Sequence, residues 1–242
     1  MRKLLLGTTA LAAAATLSAN TALADVSISG AFEWTYLSRS SNVTATDGTT
    51  FGTDSDMQIN FTNKTDSGLD LTYRVDFHTD GGAVGNDENS LAIAGGFGKI
   101  VLGYDDQAAD AYIIDESDLI KEDSAPSVGS ASISTGTSAP ADNDGLKVAY
   151  HLPAMGGLTA GISHTDGGYE GGNDTTSMGA KYAMEAAGAS ITLGVTSTTT
   201  ENSTQDVDQE SMGLKIVSGD ISVILSSGQY EANDEERDNS GA

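Results

Sequence analysis

Apolar and polar residues alternate one by one along much of this chain. In residues 25–38, Val26, Ile28, Phe32 and Trp34 share one parity, while serine, glutamate and threonine occupy the other. Residues 69–78 repeat the pattern, with leucine, tyrosine, valine and phenylalanine alternating with aspartate, threonine, arginine and histidine. A period of two places successive side chains on opposite faces of an extended strand. Both segments therefore predict β-strands with one apolar and one polar face.

The same pattern predicts eleven strands, at residues 25–38, 57–62, 69–78, 91–93, 99–104, 146–152, 158–164, 176–184, 190–198, 210–218 and 221–230. No segment has a convincing helical period, although residues 107–120 are compatible with a short helix. The predicted fold class is all-β.

Long and short connections alternate between these strands. The long, acidic ones are residues 39–54, 79–89, 105–144, 165–175 and 199–209. The short ones are residues 63–68, 95–98, 153–157, 185–189 and 218–220. Long loops on one side and short turns on the other are typical of a transmembrane, antiparallel, up-and-down β-barrel of the bacterial outer membrane. A soluble sandwich has no reason to segregate its loops in this way.

The N-terminus predicts export. Arg2 and Lys3 precede an apolar run at residues 4–17, which is too short to cross a bilayer as a helix. The run leads to an A-x-A-type cleavage site that ends at Ala24. We expect residues 1–24 to be a signal peptide, removed before Asp25. The alternative is a membrane anchor, but threonine, serine and asparagine interrupt the apolar run.

Composition excludes several classes of function. The chain has no cysteine, so disulfides, thiolate metal sites and thiol nucleophiles are excluded. A formal net charge of -24 argues against a nucleic-acid partner, because phosphate recognition needs a basic surface. Hydrophobic content of 38% with 29 glycines suits strands whose apolar side chains serve only one face.

Basic residues inside the predicted strands keep to the polar parity. They are Arg74, Lys99, Lys147, Lys181 and Lys215. A basic side chain facing hydrocarbon costs roughly 2–4 kcal/mol at mid-bilayer, so a barrel must keep its outer face free of charge. We expect these five residues to line a water-filled pore.

Aromatic residues gather near the two ends of the predicted strands, as interfacial girdles require. One group lies toward the long loops: Trp34, Tyr36, Phe77, Tyr104 and Tyr230. The other lies toward the short turns: Phe61, Tyr150 and Tyr182. Phe32 and Tyr73 fall outside both groups.

Three stretches carry a family resemblance: DVSISG at residues 25–30, GFGKIVLG at 96–103 and KVAYHLP at 147–153. In this order they resemble the general-diffusion porins of Gram-negative bacteria, most closely the alphaproteobacterial type. The resemblance implies a 16-stranded barrel, usually a homotrimer, in the outer membrane among lipid and lipopolysaccharide. The function it implies is passive diffusion of small hydrophilic solutes and ions through a water-filled channel.

Three departures from the porin pattern stand out. Such porins typically end on a strand that closes with an aromatic residue, whereas this chain ends in the polar residues 238–242. Eleven strands are also an odd number, and bacterial single-chain barrels are even. We therefore expect residues 25–242 to be a C-terminally truncated barrel domain. The family often has arginine where Tyr104 stands, so one basic constriction residue is missing.

By resemblance, residues 105–144 fold inward and narrow the pore. Their acidic residues are Asp105, Asp106, Asp110, Asp115, Glu116, Asp118, Glu122 and Asp123. Facing the basic wall, they would create a transverse field that filters solutes by charge and dipole. The alternative is a solvated acidic cap, with the strand cations paired locally to Glu33, Asp70 and Asp76.

Other chemistry finds little support in the sequence. The residues at 142–145 and 166–168 offer oxygen ligands suited to loop-bound Ca²⁺, but neither stretch has the spacing of a calcium loop, so no cofactor or metal is predicted. The histidines lack metalloprotease spacing and no G-x-S-x-G elbow exists, so the chain is not expected to be an enzyme. The alternative function is a non-transport acidic β-rich surface protein or adhesin.

Overall fold

Antiparallel strands in a single sheet form the described part of the molecule. The computed structural model describes residues 25–39, 48–78, 84–115, 145–167, 173–201, 206–232 and 235–241. The strands are β1 (Asp25–Arg39), β2 (Gly48–Lys64), β3 (Asp70–His78), β4 (Gly85–Gly95), β5 (Gly98–Asp105), β6 (Gly145–His151), β7 (Leu158–Thr165), β8 (Asp174–Ala186), β9 (Ala189–Glu201), β10 (Val207–Ser218), β11 (Ile221–Ala232) and β12 (Glu235–Gly241).

Each strand pairs with its neighbour in sequence, so the order across the sheet is the order along the chain. Every pairing is antiparallel. This meander confirms the predicted all-β, up-and-down architecture. Among the described residues, no helix is long and apolar enough to span a membrane.

The two faces of the sheet differ in the way the alternation predicts. On the outer face, large apolar side chains are exposed: Val148 is 56% exposed, Val195 50% and Met212 60%. On the inner face, Ser177 is 0% exposed and Thr198 2%. Apolar groups outside and buried polar groups inside are the reverse of a water-soluble core. Hydrocarbon around the outer face accounts for this inversion.

Several strands extend into segments that were predicted to be loops. β2 begins at Gly48, β4 begins at Gly85, and β9 continues to Glu201. Beyond the hydrocarbon both faces of a strand meet water, so the apolar alternation ends although the backbone pairing continues. The predicted connections at residues 39–54, 79–89 and 199–209 were therefore too long.

A twelfth strand, β12, lies where the sequence predicted a polar loop. It pairs with β11 over seven residues, from Ala232 opposite Glu235 to Ser226 opposite Gly241. Its sequence, EERDNSG, contains no large apolar residue, so alternation could not reveal it. The predicted count of eleven strands was one too low for the described residues.

The short Gly95–Gly98 hairpin needs glycine for its geometry. Gly98 has φ +111°, a conformation that other residues rarely adopt. A Cβ at Gly98 would also collide with the backbone oxygen of His151 on β6. The GFG stretch singled out in the sequence therefore permits both a tight turn and close approach of the neighbouring strand.

Aromatic contacts mark both ends of β1–β3. Phe51 stacks on Trp34 with ring centroids 5.2 Å apart, and Phe61 stacks on Tyr73 at 6.0 Å. The first pair lies toward the 40–47 connection and the second toward the 65–69 turn, which gives Tyr73 a place in the short-turn group. Tyr230 lies at the long-loop end of β11, opposite Gln209, as predicted, but it has the inner parity of that strand and so does not belong to the lipid-facing girdle.

Candidate functional site

A cleft of about 480 Å³ lies on the inner face of the sheet, between the strands β3–β6 and the chain that follows β5. Its lining combines acidic, basic and small side chains: Thr72, Arg74, Ser90, Ala92, Lys99, Val101, Asp105, Asp106, Gln107, Asp110, Ala111, Ala149 and His151.

Strand register brings the lining residues of the wall together. Arg74 on β3 is opposite Ser90 on β4, and Lys99 on β5 is opposite His151 on β6. These residues share the polar parity of their strands, so all four point to the inner face. Residues far apart in sequence thus form one continuous polar wall.

Arg74 is surrounded by carboxylates. It forms a close ion pair with Glu88, a second with Asp76 at 2.9 Å (Nε to Oδ2), and a longer one with Asp105 at 3.7 Å. Glu88 reaches Arg74 at an irregularity in the β3–β4 register. Water screens Glu88 and Asp76 only weakly, because both are mostly buried. Their charges therefore neutralise much of the charge of the Arg74 guanidinium group. Lys99, in contrast, is exposed and forms no salt bridge among the described residues.

The chain after β5, residues 106–115, forms what we name the inward segment. The backbone N–H groups of Ala108 and Ala109 donate hydrogen bonds to Ser163 Oγ on β7 and Ser177 Oγ on β8, at 2.9 and 2.8 Å. Both serines lie on the inner face, so the segment runs along the inner wall. The short helix predicted near here is a single 3-10 turn, Asp110–Tyr112.

Tyr112 and Ile114 anchor the far part of the inward segment. Both side chains are buried, and the Tyr112 hydroxyl hydrogen-bonds with Nδ1 of His151 over 2.8 Å. Burial raises the pKa of the Tyr112 phenol above its usual range, because desolvation disfavours the charged phenolate. The inward segment is therefore held by backbone, aromatic and aliphatic contacts together.

The acidic residues predicted for the constriction fall into three groups. Asp105, Asp106 and Asp110 line the cleft, whereas Asp115 is buried, with only 8% exposed. The others lie outside the described residues: Glu116, Asp118, Glu122 and Asp123. The predicted signal peptide, including Ala24, also lies outside them.

The five predicted basic residues occupy different parts of the inner face. Arg74 and Lys99 line the cleft. Lys147 is buried and donates a hydrogen bond to the carbonyl oxygen of Asp105, at the root of the inward segment. Lys181 on β8 and Lys215 on β10 share the inner parity but do not belong to the cleft lining.

The sequence pattern did not reveal Glu88 and Tyr112, the partners of Arg74 and His151. Glu88 fell within a predicted loop, and only the β3–β4 irregularity shows why it meets Arg74. Tyr112 lay in a stretch without a clear period, and no sequence signal linked it to His151, whose inner-face parity was visible.

Carboxylate oxygens of Glu88, Asp105 and Asp106 lie within 4.8 Å of one another, which is close enough to hold a cation. Arg74 already pairs with two of them, so the guanidinium occupies the role of that cation. Of the two stretches considered for calcium, residues 142–144 lie outside the described residues. In the other, Gly168 also lies outside them, and Gly167 N–H donates a hydrogen bond to Asp174 Oδ1 at 3.0 Å.

A larger concavity of about 860 Å³ lies on the opposite side of the sheet. The large side chains that line it, such as Ile162, Met178, Val195 and Met212, are exposed and have the outer parity. It is a groove in the lipid-facing surface, so the smaller inner cleft is the functional site.

Comparison with known proteins gives one family. A family model described as Gram-negative porin matches residues 7–242. Among curated proteins, no sequence matches.

Solved outer-membrane proteins share the fold. An anion-selective porin from Comamonas acidovorans is similar with a TM-score of 0.58 and 16% identity, over 89% of this chain and 72% of that one. A loop L8 deletion mutant of OmpT, an outer membrane protein of Vibrio cholerae, has a TM-score of 0.54 and 14% identity, over 90% of this chain and 86% of that one. A porin refined at 1.8 Å resolution has a TM-score of 0.54 and 18% identity, with coverages of 85% and 68%.

Proposed function

Because the chain belongs to the Gram-negative porin family, we propose that it forms a water-filled channel of the outer membrane for passive diffusion of small hydrophilic solutes and ions. The observation that carries this proposal is the polar cleft between the inner wall and the inward segment. Charged side chains line both sides of the cleft, as in channels that pass hydrated solutes. In this proposal these side chains bind and steer some solutes and exclude others.

Opposed charges across the cleft support a selectivity role. Asp106 and Asp110 belong to the inward segment, whereas Lys99 belongs to the wall. The field between them is transverse to the path of a solute, and it acts in a narrow, poorly screened space. Solutes with a matching charge or dipole pass with a lower barrier. Arg74 contributes less, because its carboxylate partners neutralise it.

Further basic residues of the wall extend the pore lining in this proposal. Lys181 and Lys215 share the inner parity and stand on β8 and β10, beyond the cleft. Lys147 has a different role, because its ammonium group ties the root of the inward segment to β6 through the Asp105 carbonyl. It supports the constriction rather than contacting solutes.

Assembly and export complete the proposal. We propose a homotrimer in contact with outer-membrane lipid and lipopolysaccharide, as the family resemblance implies. The exposed aromatic side chains of β1 and β2, Trp34, Tyr36 and Phe51, suit contact with lipid or with another protomer. Residues 1–24 would direct export, with cleavage before Asp25.

Liposome swelling tests the diffusion function. Vesicles containing the purified protein are diluted into isosmotic solutions of neutral sugars of increasing size. The expected result is fast swelling with small sugars and progressively slower swelling with larger ones, because the cleft excludes by size. Swelling no faster than in protein-free vesicles, by protein that shows heat-modifiable gel mobility, would contradict a channel and favour the alternative of a non-transport surface protein.

A further inference from the structure

Four glycines lie beneath the inward segment, one on each of four consecutive strands: Gly161, Gly179, Gly194 and Gly213. Gly161 is directly opposite Gly179, and Gly194 is directly opposite Gly213. The residue opposite Gly194 is Lys181, which lies two residues after Gly179. The line of glycines is therefore offset by two residues between β8 and β9. All four have the inner parity. We name them the glycine track.

Each glycine of the track lies where a side chain would collide with the inward segment. A Cβ at Gly179 would stand 2.7 Å from the Cβ of Tyr112, and one at Gly161 would stand 2.9 Å from its hydroxyl. A Cβ at Gly194 would stand 2.6 Å from the backbone oxygen of Tyr112. At Gly213 it would strike the backbone oxygen of Ile114. Real Cβ contacts are longer than these distances. At Gly179, Gly194 and Gly213 the nearest atoms belong to the backbone or are Cβ atoms, so only glycine permits this packing, whereas at Gly161 they are side-chain ends that can shift.

The contacts follow the order of the segment. Tyr112 lies over Gly161 and Gly179, and Ile114 lies over Gly194 and Gly213. The segment therefore crosses the strands along the track. None of the four glycines has the positive φ that would demand glycine for conformational reasons. Glycine in a strand interior costs stability relative to residues with side chains, and the close approach of another backbone offsets that cost.

We propose that the glycine track is the packing surface that positions the inward segment and thereby sets the width of the pore. This inference rests on the proposed channel function and adds the determinant of its aperture. The glycines are positioning residues, because they contact the segment and not the solute. Two backbone hydrogen bonds to Ser163 and Ser177 and the Tyr112–His151 contact fix the segment along the track.

Replacing a glycine of the track by alanine adds a methyl group, which should displace the inward segment toward the pore axis. We expect Gly179→Ala and Gly213→Ala to lower single-channel conductance about twofold, because conductance follows the open cross-section at the constriction. Gly161→Ala provides a milder variant, since its nearest contacts are side-chain atoms of His151 and Tyr112. Gly85→Ala and Gly96→Ala are matched controls, because a Cβ at either position meets nothing within 4 Å.

A second measurement reports the segment directly. The chain has no cysteine, so Ala111→Cys accepts a single nitroxide label at an exposed position of the inward segment. Electron paramagnetic resonance then measures the label's mobility in full-length protein with native heat-modifiable mobility. In the track variants we expect a more mobile spectrum than in the parent, and in the two controls a parent-like spectrum.

The outcomes separate this inference from the channel proposal. Parent-like spectra and conductance in Gly161→Ala, Gly179→Ala and Gly213→Ala would overturn the role of the track while leaving the channel intact. A parent protein without conductance would overturn the channel. In that case a mobile spectrum in the track variants would still support the role of the track in positioning the inward segment.

Discussion

Arg74 offers a sharp test of the inner wall, because it compensates carboxylates that water reaches poorly. We predict that Arg74→Met destabilises the protein. Removing one partner of a buried ion pair costs about 3–5 kcal/mol, since the remaining charge has no compensation. The Arg74 side chain is 27% exposed and that of Glu88 7%. The exposure of Arg74 to a wet cleft reduces the effect, so we expect a loss of about 2–3 kcal/mol.

A matched variant controls for charge alone. Lys64 and Asp70 form an ion pair at 2.9 Å, but their side chains are 66% and 60% exposed. Lys64→Met should therefore change the free energy of unfolding by less than about 1 kcal/mol. The assay is denaturant unfolding in lipid vesicles, followed by tryptophan fluorescence. Adding Glu88→Gln should restore part of the stability lost in Arg74→Met. Equal losses in Arg74→Met and Lys64→Met would refute the reasoning.

Two further predictions concern the outer face and the anchor of the inward segment. Leu193→Lys places a charge on the lipid-facing side of β9 and should lower the free energy of unfolding by about 2–4 kcal/mol. Ser190→Lys, on the inner face opposite Glu185, should lower it by less than about 0.5 kcal/mol. Similar losses in the two variants would contradict the assignment of faces. Tyr112→Phe removes the hydrogen bond to His151, which is worth about 0.5–1.5 kcal/mol. Amide hydrogen exchange in the inward segment should therefore accelerate about 2- to 10-fold. Unchanged exchange would contradict the anchoring role of Tyr112.

The membrane makes one part of this fold easy to predict. Hydrocarbon forces every second side chain of a spanning strand to be apolar, so the parity of Val148 or Lys181 could be predicted from sequence alone. The same logic stops at the bilayer surface. Beyond it both faces meet water, which is why the first residues of β2 were assigned to a loop.

The inner site was harder to predict, because it depends on register across loops. Glu88 reaches Arg74 only through a local irregularity between β3 and β4. The glycines of the track are separated by 15 to 19 residues in sequence, and although each falls inside a predicted strand, alternation alone does not show that they lie side by side. They align only when the pairing of β7–β10 is known. Parity could place Lys99 and His151 on the inner face, but it could not show which acidic residues face them.

Ion selectivity in a planar lipid bilayer tests the central claim, an aqueous pore with opposed charges across its constriction. The measurement is the reversal potential of single channels under a salt gradient, for the parent, Asp110→Asn and Lys99→Gln. We predict discrete channel steps, with the reversal potential moving toward anion preference in Asp110→Asn and toward cation preference in Lys99→Gln. Channels whose reversal potential is the same in all three proteins would contradict the assigned constriction, and the absence of channel steps in the parent would contradict the pore itself.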